Sequence, residues 1–215
     1  MSSRSAGRSE RREEPESAVR AMIAAERGEL ADLLDGLSAE QWNELTLCAG
    51  WRVGEVVAHI TMAFRYSTLR VVIGMLKARG SFNRMADRAA HRDAEQLSPD
   101  ELVACLRSNV HHGWQPPGGG YVGALSHDLI HGLDITSALG IDRTSDDAAC
   151  CFVLDSLAAD AGALFGMHTS GQLVRATDLD WQQGEGEPVD ASAAELILAL
   201  AGRPRPGIDF ATATP

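Results

Sequence analysis

The sequence predicts a mainly α protein: an antiparallel four-helix bundle over residues 16–165, followed by a small α+β region over 166–215. Three observations carry that expectation. Ala18, Met22, Ile23, Leu30, Leu33 and Leu34 recur at helical spacing and make one amphipathic stripe. Four long helical segments are joined by short polar connections, as in antiparallel bundles. After Gly166 the character changes, and Leu173–Thr177 alternates apolar with polar residues as a half-buried strand does.

The elements follow in order. The first helix ends at Asp35-Gly36. Ser38 and Gln41 form a capping-box pair that opens a short helix through Leu45, and a turn follows at Cys48-Ala49-Gly50. A second long helix starts at Val53 and runs to Arg65, or with a bend to Lys77; Gly80 stops it. Asn83–Arg92 reads as a polar helix. Ser98-Pro99-Asp100-Glu101 combines an N-cap, a proline at the first helical position and a capping-box glutamate, so a helix is expected to run to His111. Pro116–Gly120 is a loop. Helices are expected over Val122–Leu139, ended by Gly140, and over Asp146–Phe165. In the C-terminal region a second strand is expected to begin in Asp178–Trp181, with Gly184-Glu185-Gly186 as its turn. Ser192 and Glu195 open a last apolar helix that Gly202 ends.

Composition narrows the function classes. The 215 residues are 45% apolar, enough for one large domain that buries about 70% of its unfolded surface without disulfides. No apolar run approaches the roughly 18 residues of a membrane span; Val71–Leu76 is the longest candidate, so no membrane partner is expected. Residues 1–15 lack an apolar signal core and read as a disordered leader. The net charge of −11 argues against nucleic acid, because Arg4, Arg8, Arg11 and Arg12 sit among glutamates. Cys48, Cys105, Cys150 and Cys151 form no C-x-x-C pair, and a reduced cytoplasmic protein is expected. Lys77 is the sole lysine among 19 basic residues, and with the abundant Ala and Gly it suggests a GC-rich genome.

The chemistry centres on His127 and His131. At i and i+4 on one helix their imidazoles face the same way and can reach one cation; the alternative is a pair of partly buried or surface histidines. His59 shares a face with Val56 and Ala63 that should turn to the bundle core. There it is either a core histidine bonded to a carbonyl or Tyr66, or a third ligand on a facing helix. Asp134 lies one turn beyond His131, as an acceptor for a ligand's second N–H or as an intrahelical or arginine-paired carboxylate. Asp128 reads as a surface residue. His111 and His112 are explained by the dipole at a helix C-terminus. Trp51 reads as a packing anchor for its helix start and Cys48 as a small buried hydrophobe.

Leu47-Cys-Ala-Gly-Trp51-Arg-Val-Gly-Glu-Val-Val-Ala-His59 resembles the CxGWxVxDVVAHL segment of the mycothiol-dependent maleylpyruvate isomerase family, within the DinB/YfiT-like metal-binding bundles. His127–Asp134 is similar to its ExxxHxxD or HxxxHxxD motif. Ala176–Trp181 with Gly184 and Gly186, then Leu196–Arg203, resembles its C-terminal region, so the likeness covers about residues 17–203. The resemblance implies a DinB/YfiT-like bundle whose His59, His127 and His131 hold a divalent metal, zinc with nickel or iron as alternatives. It implies mycothiol as the low-molecular-weight thiol, a small-molecule substrate, an actinobacterial source, and isomerase or thiol-transferase chemistry.

Three protein ligands leave one position open, the pattern of a catalytic zinc site. A thiol entering there would be held as the nucleophilic thiolate, since its free pKa is near 8.5. Addition to a maleyl-type double bond, rotation and elimination would isomerise it. The resemblance also gives Arg203 a place facing the site, where it could bind a substrate carboxylate bidentately; the alternative is a solvated helix end. Asp134 and Arg203 are thus the candidate catalytic residues. Two departures stand out. His127 replaces the isomerase's glutamate ligand, so a zinc centre would be formally +2. Arg52 replaces the usual Thr or Ser cap, although Glu55 can still accept from the Arg52 N–H. A metal-dependent hydrolase with Asp134 as base and a non-catalytic metal-binding or regulatory module are the competing readings. A monomer or a homodimer is compatible with the sequence.

Overall fold

The computed structural model describes residues 3–143, 145–159, 167–169 and 171–212, with side chains described from Glu16 onward. The leader expected over 1–15 precedes that first described side chain. The expected end of the last long helix at Phe165 lies outside the described residues.

The order is α1 (Ser3–Asp35), α2 (Ala39–Trp42), α3 (Val53–Arg65), α4 (Thr68–Lys77), α5 (Phe82–Gln96), α6 (Pro99–Ser108), α7 (Gly120–Ala138), α8 (Asp147–Ala159), β1 (Met167–His168), β2 (Gln172–Ala176), β3 (Gln182–Gly184), β4 (Glu187–Ala191), α9 (Ala193–Leu200) and β5 (Ala211–Thr212). α1, α3, α6 and α7 form the four-helix bundle; α5 packs on α3, and α8 lies between α7 and α9. The bundle is held by two buried clusters. One gathers Leu30, Leu34, Val53, Val57, Ile60, Leu102, Leu106 and Ile135. The other joins Ile23, Leu125, Leu129, Val153 and Leu154 to Leu196 and Ile197 of α9, so the C-terminal region shares the bundle's core.

Helix ends follow local chemistry. Ser38, Ser98 and Ser192 each accept a backbone N–H at the third helical position, and the expected Gln41, Glu101 and Glu195 answer in return. Glu55 accepts from the Arg52 N–H at 2.9 Å, as the sequence suggested. Between α3 and α4 the chain does not bend but breaks. Tyr66 is extended, and Ser67 caps the new helix by accepting from the Arg70 N–H at 3.3 Å. α6 stops at Ser108, three residues short of the expected His111. The Asn109 side-chain amide donates to the Cys105 carbonyl at 2.7 Å and satisfies the end. His111 and His112 therefore lie in the following loop, not at a helix terminus.

The small sheet has the order β3-β2-β4. Asp178–Trp181 is a bend, not the start of a strand; the Asp178 carboxylate accepts from the Ala193 N–H at 2.8 Å and helps cap α9. β3 pairs antiparallel with β2, and then the chain crosses beneath β2 so that β4 pairs parallel on its other edge. Gly186 makes that crossing possible. At φ +126° a Cβ would lie 2.0 Å from the Gly171 carbonyl oxygen.

Candidate metal centre

The apolar stripe of α3 turns His59 inward, leaving the residue 8% exposed. Opposite it, α7 presents His127 and His131 one turn apart. The three rings lie 4.9–5.1 Å apart between centroids, and one nitrogen of each falls within 4.8 Å of the others. The Nε2 atoms of His59 and His127 are 3.1 Å apart. Two nitrogens each bound to one tetrahedral zinc at ordinary length would be about 3.3 Å apart.

The outer nitrogens explain why the inner ones converge. His127 Nδ1 lies 2.9 Å from Asp128 Oδ1, and His131 Nδ1 lies 3.0 Å from Asp134 Oδ2. Each carboxylate accepts the Nδ1 proton, so each Nε2 lone pair points to the centre, the tautomer a metal ligand needs. His59 differs: its Nδ1 is buried with no partner among the described residues. With His127 Nδ1–H given to Asp128, His127 Nε2 is an acceptor, and the 3.1 Å contact is satisfied with His59 Nε2 as its donor. A cation held by His59 Nε2 would require that proton on Nδ1 instead. The donor set thus fits a divalent ion of zinc type, with His59 the least supported ligand.

Each carboxylate is in turn held by an arginine. Arg203 grips Asp134 through Nε at 2.9 Å and Nη2 at 2.7 Å, and donates from Nη1 to the Ala201 carbonyl at 2.6 Å. These bonds, on a side chain only 15% exposed, exclude the solvated alternative for Arg203. Arg27 Nε donates to Asp128 Oδ2 at 2.6 Å, while its Nη1 donates to the His112 carbonyl at 2.8 Å. Asp128 is 1% exposed, which corrects its reading as a surface residue. It projects beside His127 toward α1, where the fully buried Arg27 requires a counter-charge. Arg27 had a sequence signal. It interrupts the stripe Ile23, Arg27, Leu30, Leu34, and a charge on a core face needs a buried partner.

Burial pushes the His59 imidazole well below its ordinary pKa, and the neighbouring His131 and His127 add to it. Burial also lowers His131, against the opposing pull of Asp134. Burial by itself would raise Asp128 and Asp134. Their bonds to the histidines and arginines outweigh it and hold both below the usual carboxylate range. The centre therefore offers neutral His59 and His131 imidazoles beside ionised Asp128 and Asp134 carboxylates.

Trp51 forms one wall, its ring 5.0 Å from that of His59 and stacked 6.4 Å from His131. Its ring packs in the buried cluster with Val53 at the α3 start, as expected, and its Nε1 also donates to Asp87 of α5 at 3.0 Å. Trp114 covers His127 at 5.2 Å, a contact the sequence did not reveal because a long loop delivers it. Cys48 also approaches His131 and Asp134. Burial pushes its thiol up to about 11, so it stays protonated at neutral pH. The Nδ1 of His131 is already engaged by Asp134, so this second group is not a cation site. His91 and His112 lie elsewhere on exposed positions.

Residues 23–112 match the model of the mycothiol maleylpyruvate isomerase N-terminal domain. This stretch belongs to that domain family. The matched stretch contains His59, Trp51 and Arg27; His127, His131 and Arg203 lie beyond it. Two solved structures are similar to this chain in fold over most of its length. One, a mycothiol-dependent maleylpyruvate isomerase, has 14% identity and a TM-score of 0.56, covering 94% of this chain and 95% of its own. The other, a histidine-to-alanine mutant of a mycothiol-dependent maleylpyruvate isomerase, has 13% identity and a TM-score of 0.51, covering 88% and 90%. No curated protein matches the chain.

Proposed function

We propose that the protein is a divalent-metal-dependent thiol enzyme, an isomerase or transferase of the maleylpyruvate isomerase type. It would join mycothiol, or a similar low-molecular-weight thiol, to a small electrophilic substrate. The observation that carries the reading is the convergence of His59, His127 and His131 in a chain whose residues 23–112 match this domain family. A divalent ion held there would act as a Lewis acid at its open position and lower the pKa of an incoming thiol.

The chain's own residues have distinct tasks. Asp128 and Asp134 hold the His127 and His131 rings in the ligating tautomer. Arg27 and Arg203 neutralise those carboxylates, so three neutral imidazoles leave a bound ion's charge uncompensated. A centre of that charge draws anions, which suits a thiolate and a carboxylate-bearing substrate. Trp51 and Trp114 lie against the His59 and His127 rings and would narrow the approach to them. The hydrolase alternative asked for a carboxylate base, and both oxygens of Asp134 are already committed to Arg203 and His131.

The test is elemental analysis of untagged protein beside His59→Ala, followed by turnover of maleylpyruvate with and without mycothiol. About one equivalent of metal, lost in the variant, with thiol-dependent turnover is the expected result. Absence of metal from both proteins after reconstitution overturns the mechanism. Metal with turnover that ignores the thiol overturns the thiol assignment.

A further inference from the structure

The feature left unexplained by the metal centre is the outer face of α4. Leu69, Val72, Ile73 and Leu76 stand at i, i+3, i+4 and i+7, and all four are exposed, Leu69 at 68% and Leu76 at 74%. Phe82, at the start of α5, extends the patch at 49% exposure. None of these side chains contributes to the described cores. α4 is anchored from its other side, where Val71 and Met75 pack against a cluster that includes Met62 and Met85. Gly74 lets the helix sit close, since a Cβ there would lie 2.8 Å from Met85 Cγ. The apolar stripe is therefore a projecting ridge and not the wall of a groove.

Its surroundings are cationic. Residues 65–93 carry seven basic side chains against Asp87 and the buried Asp93, in a chain whose net charge is −11; Asp93 pairs Arg65, Arg70 and Arg92, which leaves Lys77, Arg79, Arg84 and Arg88. Arg70, Lys77, Arg79, Arg84, Arg88 and Arg92 are exposed. The partner of this face must be apolar beneath and anionic at its rim. A twofold contact with a second copy would set Lys77, Arg79, Arg84 and Arg88 against their own equivalents, with Asp87 the one exposed acid of residues 65–93. The strongly acidic remainder of the chain would be repelled by an anionic plane, which orients the molecule with this face toward it.

We infer that the α4 ridge is a docking face for an anionic lipid surface. Leu69, Val72, Ile73, Leu76 and Phe82 would enter the headgroup–acyl boundary, and the flanking arginines and Lys77 would meet lipid phosphates. This is adsorption and not spanning: no helix among the described residues is long and apolar enough to cross a membrane.

The test uses the full chain and vesicles of phosphatidylglycerol and phosphatidylcholine in equal parts, with pure phosphatidylcholine vesicles as control. Sedimentation should show binding to the anionic vesicles, at least tenfold weaker binding to the neutral ones, and loss in high salt. Leu69→Ser/Leu76→Ser and Arg79→Glu/Arg84→Glu should each weaken binding at least tenfold. All four positions are exposed, so unchanged circular dichroism and melting temperature are expected and keep the comparison valid. Absence of binding to anionic vesicles, or equal binding by the leucine variant, overturns the inference. A concentration-dependent dimer dispersed by Leu69→Ser/Leu76→Ser assigns the face to a second copy and overturns it as well.

Discussion

His59 and its two partners across the bundle are held unequally, and that inequality is testable. Asp128→Asn keeps the shape but weakens the acceptor for His127 Nδ1. Loss of such a partner costs about 10–100-fold in metal affinity, which a chelator competition would measure. Arg27→Met leaves the Asp128 charge buried and unpaired, and should destabilise the fold by about 3–5 kcal/mol. Arg27→Met/Asp128→Asn should recover much of that stability while leaving metal affinity low, because the anionic acceptor is still absent. Urea midpoints separate the two effects. Full recovery of metal affinity in the double variant would show that the Arg27–Asp128 pair serves the fold alone.

The depressed pKa values of His59 and His131 carry a pH dependence of known sign. Both fold as neutral rings, while in the unfolded chain they titrate near about 6.5. Below that pH the unfolded state binds more protons, so stability falls as pH falls. Each histidine contributes at most about 1.4 kcal/mol per pH unit. The urea midpoint of metal-free protein should therefore hold from pH 8 to 7 and decline toward pH 5, and His59→Gln should decline less steeply. The same protons compete for the ligating nitrogens, so metal should be released over this range while Asp128 and Asp134 are still ionised.

Among the elements, caps and crossings give the sharpest expectations. Ser98→Ala removes the acceptor for the Glu101 N–H and should cost about 1 kcal/mol, seen as a lower melting temperature. Gly186→Ala should cost more, because a methyl group would strike the Gly171 carbonyl in a backbone region closed to other residues. The two differ in legibility. The Ser98 cap was readable because its partner is three residues away. The parallel pairing of β4 with β2 was not, since it depends on a chain crossing that local pattern does not encode. The α3–α4 break was half readable: a bend was expected, but an extended Tyr66 arises from its Asp93 partner on α5, at 2.9 Å.

For the molecule as a unit, the core shared by α7, α8 and α9 predicts one cooperative unfolding transition. Scanning calorimetry should give a single peak that moves up with added metal, by an amount set by free metal over its dissociation constant. Two resolved peaks would show that residues 166–215 fold apart from the bundle. Arg203 ties the metal centre to that C-terminal region through Asp134, so Ile197→Ala, costing about 2–5 kcal/mol in the core, should also weaken metal binding.

Helical periodicity, serine caps and the i, i+4 histidines are local relations along one chain, and from them the helical class, most element boundaries and the pair His127 and His131 could be read; His59 as a third candidate ligand came from the family resemblance. Tertiary packing decided the rest. It set the outer partners of those ligands, because Arg27 with Asp128 and Arg203 with Asp134 meet across 101 and 69 residues. It also turned α4 outward: an amphipathic stripe reads alike whether it faces a core or solvent, and only the packing of Gly74 on Met85 chose between them.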